Sequence, residues 1–173
     1  MAFVASGEDF PDGLAVGPVA ADLGWPIYLT PRDHLHEAAA DELPAFTDVY
    51  IVGGANAVSE AVANEIRALE DDFGGHPRVS RIGGRDRTET ATLIADWWLE
   101  QIHLSDHDFQ FDHVNLARGD VFADAVAGAP HGAVERAPIV LTVDPNTLGA
   151  HTRCSYVKAA AMAVSTLASR SVR

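Results

Sequence analysis

An internal repeat is the feature that most constrains how this chain can fold. Residues 6–15, SGEDFPDGLA, align with residues 118–127, RGDVFADAVA, with Gly, Phe, Asp and Ala in register. The alignment continues downstream, where PIYLT at residues 26–30 meets PIVLT at residues 138–142. A repeat of this kind predicts two copies of one supersecondary unit.

Each copy has the pattern of a strand–helix–strand unit. An apolar strand ends at a glycine turn, an alanine-rich helix follows, and a second apolar strand begins after a proline, which is typical of a βαβ unit. Strands and helices also alternate between the copies: helix at 33–43, strand at 48–52, helix at 59–69, strand at 78–82 and helix at 87–103. The sequence therefore predicts an α/β fold with a parallel sheet built from repeated βαβ units.

The helix predicted at residues 87–103 carries an apolar stripe that we assign to the core. The residues of the stripe are Ala91, Ile94, Ala95, Trp98 and Ile102. Residues 105–112 are polar and predict a loop. Residues 158–169 predict a further helix, which has no counterpart in the first copy.

Composition and charge exclude several classes of protein. The chain has 173 residues, 47% of them hydrophobic, which is enough to bury a core. No run approaches the roughly 18 to 20 apolar residues of a membrane span. The 12 basic and 25 acidic side chains give a formal charge of −13, which opposes nucleic-acid binding. With Cys154 as its single cysteine, the sequence provides no internal disulfide and no cysteine-based zinc site.

Four phrases in a fixed order carry a resemblance to a known family. They are SGEDFPDGLA at residues 6–15, PIYLT at 26–30, VYIVGGANAVS at 49–59 and RIGGRDRTETA at 81–91. In this combination the chain resembles the cell wall binding repeat 2 family, whose repeats occur in tandem in surface proteins. The resemblance implies a Rossmann-like parallel sheet of about one and a half repeats. It also implies non-covalent attachment to the cell envelope through an anionic wall polymer.

The resemblance also implies a location and a division of the chain. The location would be extracellular, on the cell wall or cell surface, although residues 1–5 enter a strand with no signal peptide ahead of it. Because a repeat of this family begins at the arginine phrase, residues 1–80 correspond to the later part of a first repeat. Residues 81–150 correspond to the earlier part of a second repeat, and residues 151–173 to a divergent C-terminal tail. Neighbouring repeats are expected partners.

Arginines cluster at the boundary between the two partial repeats. Four of the 12 basic residues lie close together there, beside a Gly-Gly turn and the start of a helix. Guanidinium groups bind phosphate or carboxylate through paired hydrogen bonds, and a helix start adds N–H donors. We predict that Arg81, Arg85 and Arg87 bind the ligand. The alternative for Arg87 is a structural ion pair with Asp12 or Asp124.

Recurrent glycines and aspartates are assigned structural roles. Tight strand-to-helix turns are predicted at Gly7, Gly53, Gly54, Gly83, Gly84 and Gly119. Asp12 and Asp124 lie at predicted helix starts, where a carboxylate can cap backbone N–H groups. The glycines match neither dinucleotide-binding nor phosphate-loop signatures, so no cofactor is expected.

The residue patterns for catalysis and metal binding are weak. The two repeated aspartates lie in separate units, and no nucleophile motif is present, so no catalytic residue is predicted. Five histidines, His34, His36, His103, His107 and His113, match no zinc motif. No metal site is therefore predicted.

The leading hypothesis is a non-catalytic anchoring module that binds an anionic cell wall glycopolymer. Two alternatives stay open: a structural self-association module of a surface protein, and the targeting segment of a wall hydrolase such as an amidase. The charge and the absence of a long apolar run argue against nucleic acid and a membrane span as partners.

Overall fold

A computed structural model of the protein describes residues 1–104, 113–144 and 146–152. The strands are β1 (Ala2–Ser6), β2 (Ile27–Thr30), β3 (Asp48–Val52), β4 (Arg78–Ile82), β5 (Asn115–Arg118), β6 (Ile139–Asp144) and β7 (Thr147–Leu148). The helices are α1 (Phe10–Leu23), α2 (Glu37–Glu42), α3 (Glu60–Arg67), α4 (Arg87–His103) and α5 (Phe122–Val134). The predicted loop at 105–112 and helix at 158–169 lie outside the described residues.

Most predicted elements are confirmed, and side-chain caps explain where two helices begin. The bounds of β3, β4 and α4 agree with the sequence patterns. Helix α2 begins at Glu37 because the His36 ring accepts a hydrogen bond from the N–H of Ala38. Helix α3 is capped by the Ser59 hydroxyl, which accepts from the N–H of Val62. None of the helices in the described ranges is long and apolar enough to cross a membrane.

The first sheet is parallel, with strand order β2-β1-β3-β4. Both faces of its central strand are buried. Phe3 and Ala5 belong to the core formed with α1 and α4, whereas Ala2 and Val4 belong to the core formed with α2 and α3. Burial on both faces explains why β1 is a continuous apolar run rather than an alternating one.

The second sheet has the order β5-β6-β7. Strands β5 and β6 are parallel, as the repeat predicts, so the α/β fold of repeated βαβ units is confirmed. The short strand β7 pairs antiparallel with β6 and was not predicted from the sequence. The Asp144 carboxylate accepts a hydrogen bond from the N–H of Asn146 at 2.8 Å, which helps to turn the chain back between these strands.

The two copies of the repeat agree in their hydrogen bonds as well as in their elements. The N–H of Gly7 donates to the Thr30 carbonyl at 2.9 Å, and the N–H of Gly119 donates to the aligned Thr142 carbonyl at 3.0 Å. These glycines therefore occupy equivalent turns after equivalent strands. The room for a side chain differs between the two glycines. A Cβ on Gly7 would meet no atom closer than 3.5 Å, whereas one on Gly119 would lie 2.4 Å from the Thr142 carbonyl oxygen.

The equivalent helices α1 and α5 pack directly on each other. A Cβ on Gly17 would lie 3.4 Å from the Cβ of Ala129, which is the aligned position in the second copy. A Cβ on Gly132 would lie 2.8 Å from Pro18. Small residues at these positions let the two helices approach closely, and contact between equivalent positions is typical of a two-fold arrangement.

Helices α1 and α4 lie between the two sheets and form their shared core. The predicted stripe on α4 is confirmed, since each of its five residues is buried. Trp98 is fully buried, and its indole N–H donates to Asp22 at 3.1 Å. Asp22 also accepts from the Arg136 guanidinium at 2.8 Å, so one carboxylate on α1 joins α4 to the end of α5.

The described start of the segment predicted as a tail is attached to the core. The Thr152 hydroxyl is buried and donates to the Leu141 carbonyl at 2.6 Å. The His151 ring lies 2.9 Å from the Arg85 guanidinium and 3.5 Å from the Glu89 carboxylate. Residues 151 and 152 are therefore held against β6 and α4.

A matched pair of substitutions tests the different packing of the two equivalent turns. We expect Gly119→Ala to lower stability by about 1–3 kcal/mol, because its Cβ would press on a backbone oxygen that cannot move away freely. Gly7→Ala should change stability by less than about 0.5 kcal/mol, since its contacts are ordinary. Thermal unfolding followed by circular dichroism measures both; equal melting temperatures for the two variants would contradict the packing at Gly119.

Candidate functional site

A cleft of about 430 Å³ opens at the carboxyl ends of β1, β3 and β4. The chain leaves β1 toward β2 on one side and leaves β3 toward β4 on the other. Loops therefore diverge between β1 and β3, which is where open α/β sheets bind ligands. The lining residues are Ser6, Glu8, Asp9 and Asp12 after β1; Gly54, Ala55, Asn56 and Ala57 after β3; and Gly84, Arg85, Asp86, Arg87 and Thr90 after β4.

Two Gly-Gly turns meet beneath the cleft. Gly53 has a φ of 104°, in the region that favours glycine, and a Cβ there would lie 2.4 Å from Asp12 Oδ2. A Cβ on Gly83 would lie 2.4 Å from the Gly53 carbonyl oxygen, and one on Gly54 would lie 3.0 Å from the Gly84 carbonyl oxygen. The predicted role of these glycines in turns therefore has a physical reason. The backbones of the two turns pack directly on each other, and side chains at these positions would push them apart.

Arg81 fastens the first of these turns from behind. Its Nη1 donates to the Gly53 and Val58 carbonyls at 2.9 Å each, and its Nη2 donates to Glu60 at 2.9 Å. The side chain is 22% exposed and does not line the cleft. Contact between Arg81 and a ligand stays a prediction, and the observed bonds give this side chain a structural role.

Arg85 lines the cleft and is 79% exposed. Its Nε donates to the Glu89 carboxylate at 3.0 Å, and the N–H of Arg85 donates to the same carboxylate at 2.7 Å. The backbone bond, followed by the guanidinium, holds the pKa of Glu89 below its ordinary value. A guanidinium has five N–H donors, so Arg85 can hold Glu89 and still donate to a ligand.

Arg87 bridges the two copies of the repeat at the edge of the cleft. Its Nη1 donates to the Gly119 carbonyl, and its Nη2 lies 3.4 Å from Asp9 Oδ2. The alternative of a structural ion pair thus has Asp9 as its partner among the described side chains. Asp12 is a more distant neighbour that its charge still influences. The side chain of Asp124 lies outside the described part of the chain.

The two helix starts at the cleft differ in how their N–H groups are satisfied. At α4, the Asp86 carboxylate accepts from the N–H groups of Thr88 and Glu89 at 2.9 and 3.0 Å, and from the Thr88 hydroxyl at 2.6 Å. The hydroxyl bond is the largest influence that holds the pKa of Asp86 below its ordinary value. At α1, the N-cap residue Asp9 makes no side-chain cap. The N–H groups of Thr88 and Glu89 at the start of α4, which we had expected to donate to a ligand, are therefore already bonded within the protein.

Asp12 does not cap α1, so that prediction is wrong. The helix begins at Phe10, which places Asp12 inside its first turn rather than ahead of it. Its Oδ1 is buried and has no hydrogen-bond partner among the described residues, while its Oδ2 lies against Gly53. Burial, followed by the nearby charge of Asp9, raises the pKa of Asp12 to about 6, although Arg87 acts in the opposite direction. A carboxyl in this setting changes its charge close to neutral pH.

The cleft combines both signs of charge with hydrogen-bonding groups for sugars. Its acidic residues are Glu8, Asp9, Asp12 and Asp86, and its basic residues are Arg85 and Arg87. Carboxylates accept hydrogen bonds from hydroxyl groups, and guanidinium groups donate to phosphate or carboxylate oxygens. The arrangement therefore suits a ligand that carries hydroxyls and a small number of negative groups.

Sequence reasoning missed several residues of the cleft, among them Glu8, Asp9 and Asn56. Each follows a strand of the parallel sheet by a few residues. The rule that ligands bind at the carboxyl ends of such strands would have found them, had it been applied to every predicted strand. Among the described side chains, no group of three or more His, Cys, Asp or Glu is arranged to hold a metal ion, and His107 lies outside the described residues.

The repeated βαβ units define an α/β repeat module with a polar cleft at its strand ends. The chain belongs to the family described as Cell wall binding domain 2 (CWB2), which it matches over residues 1–63 and 81–170. The family resemblance found in the four sequence phrases is thereby confirmed. Proteins of this family are surface proteins that bind the cell wall.

Relatives and solved structures agree with the family. The chain is 30% identical to the amidase enhancer of Bacillus subtilis over 77% of the chain and 17% of that protein. It is 26% identical to the N-acetylmuramoyl-L-alanine amidase LytC of the same species, over 84% of the chain and 26% of that protein. Among structures, Cwp6 from Clostridium difficile has a TM-score of 0.66 at 28% identity, and Cwp8 has 0.67 at 25%. Each match covers 87% of this chain, but 22% of Cwp6 and 24% of Cwp8.

Arg81 and Arg67 both contact Glu60. Arg81 also fastens the Gly53 turn by donating to two carbonyls, whereas Arg67 is a surface side chain. Arg81→Gln should lower stability by about 1–3 kcal/mol, because two carbonyls of the turn before α3 lose their donor. Arg67→Gln, at a side chain 48% exposed, should change stability by less than about 0.5 kcal/mol. Chemical denaturation monitored by tryptophan fluorescence gives both values; a small effect of Arg81→Gln would contradict the fastening role.

The setting of Asp12 predicts a pH-dependent stability. Because its folded-state pKa, about 6, lies above the ordinary value of 3.8, protonation favours the folded state. Stability contributed by this group is gained as the pH falls from above 6 toward 4, and the charged form is unfavourable at higher pH. Asp12→Asn should therefore be about 1–3 kcal/mol more stable than the wild type at pH 7.5 and nearly equal to it at pH 4.

Melting temperatures measured from pH 4 to pH 8 test this prediction. The exposed Asp41 on α2 supplies the control, because Asp41→Asn removes the same charge far from the cleft. Its difference from the wild type should not vary with pH in this range. If the melting temperatures of Asp12→Asn and the wild type differed by the same amount at every pH, the pKa of Asp12 would not be raised in the folded protein.

Proposed function

We propose that the chain is a non-catalytic module that holds a longer protein on the cell wall by binding an anionic glycopolymer in the cleft. The observation that carries the proposal is the position of Arg85 and Arg87 beside four carboxylates at the strand ends of a CWB2-family fold. The arginines would bind the negative groups of the polymer, and the carboxylates would accept hydrogen bonds from its sugar hydroxyls. Arg81 would position the Gly53 turn from behind.

The net charge of the chain supports a local mode of binding. A formal charge of −13 repels a polyanion at long range, so attraction must come from contacts inside the cleft. Few ion pairs would form, and retention on the wall should weaken only moderately with added salt.

We also propose that the chain is part of a tandem array. The second family match begins at Arg81, which supports a division into a later part of one repeat at 1–80 and an earlier part of the next at 81–150. The match continues to residue 170, so we propose that residues 151–173 extend the second repeat. Because the chain spans about a quarter or less of the relatives it matches, the activity of the whole protein is open. A wall hydrolase that carries this segment as its targeting part is the second candidate, favoured by the likeness to an amidase.

Retention on purified cell walls tests the proposal directly. Arg85→Gln removes a donor from the cleft at an exposed position and should weaken binding about tenfold without lowering the melting temperature. Arg78→Gln is the matched control, because Arg78 is 78% exposed and lies at the opposite end of β4. Arg87→Gln should weaken binding and also lower stability, since Asp9 and the Gly119 carbonyl lose their partner.

Walls from which the anionic polymers have been extracted identify the ligand. The wild type should co-sediment with intact walls and lose most of its retention on extracted ones. Equal retention on both would contradict the anionic ligand, and normal retention of a folded Arg85→Gln, Arg87→Gln double variant would contradict the arginine site. Concentration-dependent sedimentation without wall binding would instead favour self-association.

A further inference from the structure

Asp12 is a half-buried residue of the cleft, and one of its two carboxylate oxygens is fully enclosed. Nearly all buried polar atoms in native proteins have a hydrogen-bond partner, yet Oδ1 of Asp12 has none among the described residues. The Oδ2 atom lies against Gly53. Because Asp12 lines the cleft, a ligand bound there would lie close to this carboxyl.

The charged groups around Asp12 come from two sides of the cleft. The segment after β1 contributes Glu8 and Asp9, and the segment after β4 contributes Arg85, Asp86 and Arg87. The segment after β3, residues 53–57, has no titratable side chain. Asp9 and Arg87 pair with each other at 3.4 Å, so they leave Asp12 without an ion-pair partner of its own.

Protonation of Asp12 would change both the charge and the hydrogen bonding of the cleft. With every carboxylate charged, four negative groups outnumber two arginines. A protonated carboxyl removes one negative charge from beside Arg87 and gains an O–H donor. Such a donor can bond to a phosphate or carboxylate oxygen, which a charged carboxylate would repel.

We infer that Asp12 makes wall binding sensitive to protons: the cleft binds an anionic group of the polymer more tightly when Asp12 carries a proton. This inference rests on the proposed function and adds its regulation. Burial, the charge of Asp9 and the opposing charge of Arg87 bring the pKa of Asp12 to about 6, which places the change within the range of ordinary external pH. By linkage, the bound anion should raise the pKa of Asp12 further, and binding should take up a proton.

Retention on purified, polymer-bearing walls at pH 7.5 and pH 5.0 tests the inference. The wild type should bind about tenfold more tightly at pH 5.0, as expected for removal of one nearby like charge. Asp12→Asn resembles the neutral acid, so it should bind tightly at both values with a flat profile. Asp41→Asn loses the same charge outside the cleft and should keep the wild-type slope. Because all variants meet the same wall, titration of the polymer itself cancels in the comparison.

The outcomes separate this inference from the proposed function. Suppose that Arg85→Gln weakens retention, but that Asp12→Asn keeps the wild-type pH dependence or that wild-type retention does not change with pH. The role of Asp12 is then wrong, and the cleft is still supported as the binding site. If Arg85→Gln leaves retention unchanged at both pH values, the cleft itself is not the site. A carbon-13 NMR titration of the Asp12 carboxyl with solubilised wall polymer needs no variant: its pKa should rise on binding, and an unchanged or lowered value would overturn the inference.

Discussion

The contact between two Gly-Gly turns is the constraint on which the cleft depends. Gly53 and Gly54 after β3 pack backbone to backbone on Gly83 and Gly84 after β4, and Arg81 holds the first turn by two carbonyls. Because no side chain stands between the turns, the loops after β3 and β4 stay close, and polar side chains from the segment after β1 complete the lining. A Cβ at Gly53 would lie 2.4 Å from Asp12 Oδ2, and one at Gly83 would lie 2.4 Å from the Gly53 carbonyl oxygen. The shape of the cleft therefore requires glycine at these two positions.

The copies of the repeat share a backbone plan but differ where the cleft is formed. Equivalent bonds at Gly7 and Gly119 show the common plan. In the first copy, Asp12 lines the cleft together with residues that follow β1, β3 and β4. Arg87 extends from α4 to the Gly119 carbonyl of the second copy. The junction between partial repeats therefore both closes the fold and places a cation at the edge of the cleft. The cleft holds two arginines among four acidic residues, so attraction for a polyanion would be local to the arginines.

The fold could be predicted from the sequence because its signals are local. The site could not, because it depends on contacts between residues that are distant in the sequence. Glycine and proline mark the ends of β1, β3 and β4 directly, and the apolar stripe identifies α4. Strand β7 was missed because two residues carry no periodic pattern. The carbonyl partners of Arg81 have no signature in sequence, and Asp9 pairs with Arg87 across 78 residues. Asp12 likewise lies against Gly53, which the sequence alone does not place beside it.

Chemical-shift mapping with solubilised wall polymer is the most direct test of the claim that this cleft is the binding site. Titration of nitrogen-15 labelled protein should perturb amides of residues 8–10, 12–13, 54–57 and 84–87, which surround the cleft. It should leave those near Trp25 and Arg78 at the opposite strand ends unchanged. The side-chain Nε signal of Arg85 should shift with the same affinity. Perturbations confined to the Trp25 and Arg78 end, with the cleft amides silent, would contradict the account.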